Sequence, residues 1–383
     1  MSEKQFSDIV GFIRSVFPPM EVIPLHAPVF SGNERRYVMD TLDSTMVSSV
    51  GKYVDQFEEA VKKFTGAKSA VATSNGTVAL QIAMYLAGVK HGDEVLTQAL
   101  TFVATANAIV HAGGILVFID SDKETMGMSP DSLEEFLHVQ TVQKKDGCYN
   151  KTTGRRIVAC VPMHTFGHPV KIERIKELCA EHNLTIIEDA AESLGSLNKG
   201  THTGLFGKMG TLSFNGNKTV TTGGGGMIIT DDEQIGKRAK HITTTAKIPH
   251  AYEFIHDEVG FNFRLPNINA ALGCAQMENL PIFLANKRTL ASEYQTFFES
   301  MDVEFVKERA GTTANFWLNC IVLKDREERD RFLKYTNGRG VMTRPIWTLM
   351  NKLPMYSQCQ CSSLKTAQWL EDRVVNIPSS PRV

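Results

Sequence analysis

Short apolar segments alternate with more polar stretches in the first half of the chain, and this alternation constrains the fold more than any other feature. The segments are DEVLTQ (93–98), GILVFID (114–120), RIVACVPMH (156–164) and LTIIED (184–189). Each is short, rich in β-branched residues and apolar at consecutive positions, as expected for a strand buried on both faces. Between the last two lies KIERIKELCAEHN, which places Ile172, Ile175, Leu178 and Cys179 on one helical face. This order predicts an α/β fold with a mostly parallel central sheet covered by helices.

The chain is long enough for more than one packed unit. It has 383 residues, of which 42% are hydrophobic, so two domains with separate cores are expected. The first twenty residues are amphipathic but lack a basic start and a long apolar core, which indicates a helical extension rather than a signal peptide. From about Asn279 a charged helical pattern begins. We therefore predict an N-terminal helical extension (1–24), a large domain (25–278) and a smaller C-terminal α+β domain (279–383).

Charge and cysteine content exclude several classes of protein. The formal net charge is −1, from 41 basic and 42 acidic residues, which argues against a nucleic-acid binder that works by broad electrostatics. The seven cysteines are scattered without zinc-like spacing, so we expect reduced thiols and no metal site. No apolar run approaches the length of a membrane span. A cytoplasmic protein with a small or locally charged ligand is expected.

Polar segments follow the predicted strands, and ligands of such sheets bind beyond the carboxyl ends of the strands. These segments are SNGT (74–77), TFVAT (101–105), HTFGH (164–168) and EDAAES (188–193). The first contains good N-cap residues and then Gly76 and Thr77 at the start of a nearly wholly apolar helix. This arrangement suits an anion such as phosphate, although the segment by itself favours an ordinary helix N-cap. Neither a P-loop nor a dinucleotide-binding fingerprint is present.

Two charged residues, Asp189 and Lys218, lie where they could contact such a ligand. Asp189 ends a predicted buried strand, where its carboxylate needs a cation or strong donor, such as a protonated pyridine nitrogen, or else caps the following turn. Lys218 lies between the apolar segment GTLSF and four consecutive glycines, Gly223 to Gly226. We interpret these glycines as a tight turn that needs positive φ or close approach of the backbone.

The motifs SNGTVAL, TFVAT, EDAAES, SFNGNK followed by GGGG, and GFNFRLPNINAALG occur in this order. In order and spacing they resemble the DegT/StrS sugar-nucleotide aminotransferases, which are fold-type I enzymes dependent on pyridoxal 5′-phosphate (PLP) and built like aspartate aminotransferase. The resemblance runs from about Pro24 to Val383. It implies a homodimer with shared active sites, L-glutamate as amino donor with 2-oxoglutarate as its product, and pyridoxamine 5′-phosphate (PMP) as the intermediate form of the cofactor.

The resemblance also assigns roles to individual residues. It implies that Lys218 forms the covalent bond to the cofactor and then carries protons, and that Asp189 pairs with the pyridine nitrogen. The remaining implied cofactor contacts are Phe102 on the ring, Gly76, Thr77 and Ser213 on the phosphate, and Asn262 on the phosphate of the partner subunit. Three weaker candidates for substrate contact are His164, Glu192 and Arg344, and for each a purely structural role is the alternative.

The sugar substrate is suggested by two further segments. TRPIW (343–347) and MVSSVGKYVDQFE resemble the bacillosamine and legionaminic acid branch, in which C4 of a nucleotide-linked 2-acetamido-4-keto-2,6-dideoxy sugar is aminated for bacterial surface amino sugars. Many relatives carry Tyr-x-Pro-x-His where this chain has Arg344, Pro345, Ile346 and Trp347, so that histidine contact is missing. We expect Trp347 to be a core residue. The nucleotide can be UDP or GDP, and alternatives are a C3 keto sugar nucleotide, an eight-carbon keto-aldose or an inactive regulatory relative.

Overall fold

The computed structural model of the protein describes residues 1–383 and contains eleven α-helices, nineteen strands and three short 3-10 helices. The helices are α1 (Glu3–Val16), α2 (Glu34–Asp43), α3 (Lys52–Thr65), α4 (Gly76–Leu86), α5 (Val103–His111), α6 (Pro130–Gln140), α7 (Ile172–Glu181), α8 (Glu233–Thr243), α9 (Asn267–Ser300), α10 (Arg326–Asn337) and α11 (Lys365–Glu371). The strands are β1 (Ser69–Thr73), β2 (Glu94–Gln98), β3 (Ile115–Ile119), β4 (Thr141–Lys144), β5 (Gly147–Asn150), β6 (Arg156–Val161), β7 (Thr185–Asp189), β8 (Leu197–Asn198), β9 (Thr201–His202), β10 (Met209–Ser213), β11 (Gly226–Thr230), β12 (Lys247–Ile248), β13 (Ile255–His256), β14 (Glu304–Phe305), β15 (Thr312–Thr313), β16 (Asn319–Val322), β17 (Arg344–Pro345), β18 (Gln360–Cys361) and β19 (Val374–Ile377). The 3-10 helices are Thr165–Gly167, Met350–Lys352 and Pro354–Tyr356.

A ten-stranded sheet forms the centre of the molecule. Its main path has the order β1-β11-β10-β7-β6-β2-β3-β18, and β5 joins β6 and carries β4. The six consecutive strands β10, β7, β6, β2, β3 and β18 run parallel to one another, whereas β11 is antiparallel to both β1 and β10. The four strands predicted from apolar runs are β2, β3, β6 and β7. The predicted α/β fold with a mostly parallel sheet is therefore confirmed.

Both faces of this sheet are covered by helices. Val95 of β2 and Leu116 of β3 are paired in register and pack into a cluster that includes residues of α4 and α5. The next pair, Leu96 and Val117, faces the opposite cluster, which includes residues of α6 and α7. Because consecutive strand residues point to opposite faces and both faces are buried, the strands need the unbroken apolar pattern that predicts them.

The C-terminal part of the chain forms a second layer around a four-stranded antiparallel sheet with the order β14-β16-β19-β17. Helix α1 belongs to this part, because Phe6 packs against Phe332 of α10 with ring centroids 5.3 Å apart. The predicted boundary between residues 278 and 279 lies inside the continuous helix α9. Strand β18 returns to the edge of the large sheet, next to β3. None of the helices, including the 34-residue α9, combines the length and apolar character that a membrane span requires.

A buried lysine ties the two layers together. Lys287 of α9 is fully buried, and its Nζ donates hydrogen bonds to the carbonyl oxygens of Trp317 at 3.2 Å and of Ser379 at 2.5 Å. The backbone N–H of Ser379 donates in turn to the carbonyl of Leu25 at 2.7 Å. No carboxylate pairs with this amine, and burial lowers the pKa of Lys287 from 10.5 to about 7. The amine thus joins α9, the strand-entry segment at Trp317 and the C-terminal segment.

Replacing this lysine changes the pH dependence of stability. Between pH 7 and 10.5 an unfolded Lys287 holds a proton that the folded one releases, so the unfolded state binds more protons and stability rises with pH. For K287M this contribution is absent. We therefore expect the unfolding free energy of the wild type to rise relative to that of K287M, by up to about 1.4 kcal/mol per pH unit from pH 7 to pH 9.

Chemical denaturation at several pH values measures this difference. The matched control is K307M, which removes an exposed lysine that is paired with Glu299 at 2.6 Å. Its stability curve should stay parallel to that of the wild type. A K287M curve that also stays parallel would contradict the assignment of a largely neutral buried amine.

Candidate active site

A cavity of about 600 Å³ lies at the carboxyl ends of the parallel strands, between the large sheet and the C-terminal layer. Its lining includes Gly76, Thr77, Phe102, Asp189, Glu192, Ser213, Lys218 and Arg344, all of which were singled out from the sequence. It also includes Asn75 and Thr105, which lie in two of the polar segments but were given no individual role there, and two tryptophans, Trp317 and Trp347, that were not predicted at the site. The fold thus brings residues from five separated motifs to one cavity.

Asp189 is the last residue of β7 and is only 2% exposed. Its Oδ2 accepts a hydrogen bond from the Thr105 hydroxyl at 2.6 Å, and its Oδ1 accepts one from the backbone N–H of Ala191 at 3.1 Å. Burial raises the pKa of Asp189, whereas the hydrogen bonds from Thr105 and Ala191 and the positive charge of Lys218 oppose the rise. The carboxylate forms no ion pair within the chain, and a cationic ligand in the cavity would stabilise its charge.

Thr105 was not identified from the sequence as a site residue, although it lies in the quoted segment TFVAT. Phe102 is the N-cap of α5, and Thr105 follows three residues later in the first turn. Positions three apart lie on the same side of a helix, so both side chains reach the cavity. This spacing is the signal that could have identified Thr105.

The amino-terminal end of α4 forms another wall. Asn75 is its N-cap and accepts a hydrogen bond from the N–H of Val78 at 3.0 Å. The N–H groups of Gly76 and Thr77 precede the first intrahelical hydrogen bond and are available to an anion. A Cβ on Gly76 would lie 3.0 Å from the Cβ of Ser213, so the glycine permits β10 to approach this helix end.

The four glycines after Lys218 form the expected tight turn. Gly223 has a φ of +79°, a conformation that L-residues rarely adopt. A Cβ on Gly226 would lie 2.3 Å from the carbonyl oxygen of Asn75, so this glycine allows β11 to pass directly behind the start of α4. The glycines therefore shape the backbone behind the site, as interpreted from the sequence.

Lys218 projects into the cavity from the turn between β10 and the glycines. Its Nζ lies 3.2 Å from Oε1 of Glu192 and 4.0 Å from the centroid of the Trp317 ring system. Glu192 is 2% exposed, and its Oε2 accepts a hydrogen bond from the N–H of Phe166 at 2.9 Å. Burial raises the pKa of Glu192 to about 7, against the opposing charge of Lys218. The amine is thus held at one defined position.

The expected substrate contact of His164 is corrected by the structure. His164 is fully buried, and its Nε2 lies 2.9 Å from Oε2 of Glu188, on the side of β7 away from the cavity. Its Nδ1 accepts a hydrogen bond from the N–H of Val170 at 3.2 Å. Both ring nitrogens are occupied, which is the structural alternative stated from the sequence.

The positions of Asn262 and Trp347 were not those of the other candidate residues. Asn262 is exposed outside the cavity, where its Oδ1 accepts a hydrogen bond from Nε of Arg264 at 3.0 Å. Its contact with the cofactor phosphate of a partner subunit stays a prediction.

Trp347 was expected in the core but is half-buried and lines the cavity, with its ring centroid 6.2 Å from that of Phe102. The expectation failed because the chain after β17 runs along the cavity rim.

Arg344 stands on the same rim. Its guanidinium is exposed and is held by hydrogen bonds from Nη1 to Oδ1 of Asn337 at 2.9 Å and to the carbonyl of Thr343 at 2.8 Å. All these contacts lie within the C-terminal layer. The cation therefore faces the cavity without an acidic partner.

These residues fit one kind of cofactor. A buried carboxylate at a strand end suits a protonated pyridine nitrogen, free N–H groups at the start of α4 suit a phosphate, and Lys218 offers an amine for an aldehyde. These groups lie at the carboxyl ends of the strands of a mostly parallel sheet, in which β11 is antiparallel. The fold and the site define a fold-type I transferase that depends on PLP.

Similarity to known proteins assigns the chain to a family. The sequence profile of the DegT/DnrJ/EryC1/StrS aminotransferase family matches residues 29–383, so the chain belongs to that family and is a sugar aminotransferase. It is 37% identical to GDP-perosamine synthase of Escherichia coli O157:H7 and 34% identical to GDP-perosamine synthase of Vibrio cholerae, and each alignment covers 94% of both chains. The solved structure of the aminotransferase TlmJ from Streptoalloteichus hindustanus is 26% identical, with a TM-score of 0.84 over 94% of this chain and 93% of that one.

Removing the Thr105 hydroxyl tests how Asp189 is kept ionised. Loss of the 2.6 Å hydrogen bond in T105V should raise the pKa of Asp189 further, because burial then acts with less opposition. We expect the acid limb of the half-reaction with the amino donor to move to higher pH and the rate at neutral pH to fall roughly 10-fold. Stopped-flow absorbance of the bound cofactor measures both.

The control for this variant is T97V. The Thr97 hydroxyl is also fully buried in the sheet but donates to the carbonyl of Val161 at 2.9 Å and does not touch Asp189. T97V should keep the wild-type pH profile even if it lowers stability. A T105V profile indistinguishable from that of the wild type would show that Thr105 does not tune the carboxylate.

Proposed function

We propose that this enzyme transfers the amino group of L-glutamate to the C4 keto carbon of a nucleotide-linked 4-keto-6-deoxy sugar. The observation that carries the proposal is one continuous cavity that contains Asp189 and Lys218 at its inner end and Arg344 and Trp347 at its outer end. A cavity of this size suits a cofactor together with a sugar. Similarity to two GDP-perosamine synthases supports a nucleotide-linked sugar as the acceptor, and the sequence resemblance to the C4-aminating branch supports C4.

The chemistry is divided between cofactor and protein. Bound PLP supplies an electron sink that makes the α-proton of the amino donor acidic. Asp189 would keep the pyridine nitrogen protonated, and the N–H groups of Gly76 and Thr77, with Ser213, would hold the phosphate. Phe102 would lie against the ring and fix its plane. Lys218 Nζ is placed to take a proton and return it, while Glu192 holds the amine by a 3.2 Å contact.

The outer end of the cavity supplies contacts for the nucleotide sugar. The Arg344 guanidinium has no acidic partner and matches the double negative charge of a diphosphate. Trp347 presents an aromatic ring at this end, with its centroid 6.2 Å from that of Phe102, and such a ring suits the apolar face of a deoxy sugar. The sequence resemblance favours an acetamido group at C2, and the GDP-perosamine synthases favour GDP as the nucleotide.

A homodimer with shared sites is part of the proposal. The hairpin β12–β13 and the following loop expose Tyr252, Phe254 and Val259 by 80%, 79% and 84%, respectively. Large apolar side chains at this exposure support burial against a second copy of the chain. Asn262 follows this loop and is itself exposed, so a partner subunit could receive its amide at the phosphate.

A substrate panel tests the function directly. Purified enzyme with PLP, glutamate and each of four 4-keto-6-deoxy sugars, UDP- or GDP-linked and with a C2 hydroxyl or acetamido group, is assayed for 2-oxoglutarate. We expect at least one C4 keto sugar to be aminated and K218A to be inactive with all of them. K199A, which removes an exposed lysine paired with Glu173, should retain activity.

The outcomes separate the alternatives. Turnover of a C3 keto sugar nucleotide or an eight-carbon keto-aldose, with none of the four, would replace the proposed substrate while keeping the enzyme class. Borohydride trapping followed by peptide mass spectrometry should place the cofactor on Lys218. Adduct formation at another lysine would refute the assignment of the catalytic residue.

Arg344 provides a prediction about the acceptor alone. R344A should raise KM for the nucleotide sugar roughly 10- to 100-fold, because a charge-assisted contact with the diphosphate is lost. The glutamate half-reaction should be unchanged. The control is R339A, which removes a nearby exposed arginine whose guanidinium lies 3.6 Å from the Tyr335 ring centroid and outside the cavity. If R344A slowed both half-reactions equally, a diphosphate contact would be the wrong explanation.

A further inference from the structure

We propose that Trp317 is a positioning residue that holds the Lys218 amine at the place where it meets the cofactor aldehyde. Trp317 comes from the C-terminal layer, more than ninety residues after Lys218 in the chain. The proposal rests on Lys218 being the cofactor-binding lysine. It does not depend on which sugar is the acceptor.

Trp317 contacts the lysine turn at two points. Its ring system lies 4.0 Å from Nζ of Lys218, within the range of a cation–π interaction. Its indole Nε1 donates a hydrogen bond of 2.7 Å to the carbonyl of Asn217, the residue before the lysine. One side chain therefore fixes both the backbone that carries Lys218 and the amine at the end of its side chain.

The backbone of Trp317 is itself firmly held. Its backbone N–H donates to Oδ1 of Asn315 at 2.8 Å, and its carbonyl accepts the hydrogen bond from the buried Lys287. Nδ2 of Asn315 donates to the carbonyl of Glu192 at 2.8 Å. The ring and the carboxylate that meet the Lys218 amine are thus connected through one asparagine, so their relative position is set by the fold.

Such a fixed position has a kinetic consequence. A lysine side chain has many rotamers, and holding its amine in advance removes part of the entropic barrier to bond formation. Trp317 is 5% exposed, so its contact with the amine is shielded from water and stronger than a surface contact. Covalent capture joins the neutral Lys218 amine to the aldehyde carbon, and the aldehyde oxygen leaves as water with two protons from the nitrogen. The ring keeps the amine in place while its excess proton passes to Glu192, 3.2 Å away. Loss of the ring should slow capture roughly 5- to 30-fold, because the amine must then be positioned during the reaction itself.

The test compares two forms of the cofactor on full-length protein freed of bound cofactor. PLP must bond to Lys218, whereas PMP binds through the same phosphate and ring contacts but has no aldehyde for the lysine. We expect W317L to slow covalent capture of PLP, followed by absorbance and borohydride trapping, while the Kd for PMP changes less than 2-fold. W317F keeps an aromatic face without the N–H donor and should fall between W317L and wild type.

The chain provides a matched control in Trp369. Nζ of Lys123 lies 4.1 Å from its ring centroid, so W369L removes the same kind of contact away from the cavity. W369L should capture PLP at the wild-type rate. Equal loss of PMP affinity and PLP capture in W317L would show a structural role and overturn the proposal, as would wild-type or faster capture. A wild-type adduct on a lysine other than Lys218 would instead refute the underlying lysine assignment.

Discussion

Asp189 and Glu188 are consecutive carboxylates at the end of a buried strand, and the site depends on the different ways in which they are stabilised. Glu188 points away from the cavity, where burial would raise its pKa but His164 and the N–H groups of Gly207 and Gly204 hold it below the usual value. Asp189 points into the cavity with fewer donors, and its pKa is raised. Because successive strand residues face opposite sides, one acid stabilises the loop and the other remains for a cationic ligand.

The C-terminal layer completes the site instead of merely covering it. Lys287 fixes the carbonyl of Trp317, and the Trp317 ring lies over the Lys218 amine. Arg344 and Trp347 come from the same layer and form the outer wall of the cavity. The backbone of Lys218 therefore belongs to the large-sheet layer, whereas its amine is positioned by a side chain of the C-terminal layer. Both layers are needed to form the site around this lysine.

Predictions from the sequence were most accurate for segments with a regular apolar pattern and for charged residues whose burial costs free energy. Strands β2, β3, β6 and β7 were recognisable because burial on both faces requires continuous apolar runs. Asp189 was recognisable because a carboxylate at the end of a buried strand needs a partner, whereas the role of Lys218 was implied by the family resemblance. His164 failed by the same rule of alternation, since it follows a strand end but faces Glu188. Trp347 failed because the packing of a long irregular tail has no periodic signal.

By itself, the sequence determined the α/β class, the family and the set of chemical groups at the ends of the strands. These follow from local patterns, since periodicity, turn glycines and charged residues at strand ends are written in short segments. Tertiary structure alone decided which side chains share the cavity. The pairing of Trp317 with Lys218 and of Thr105 with Asp189 joins residues 99 and 84 positions apart, respectively. Such contacts depend on how layers pack, which no local pattern records.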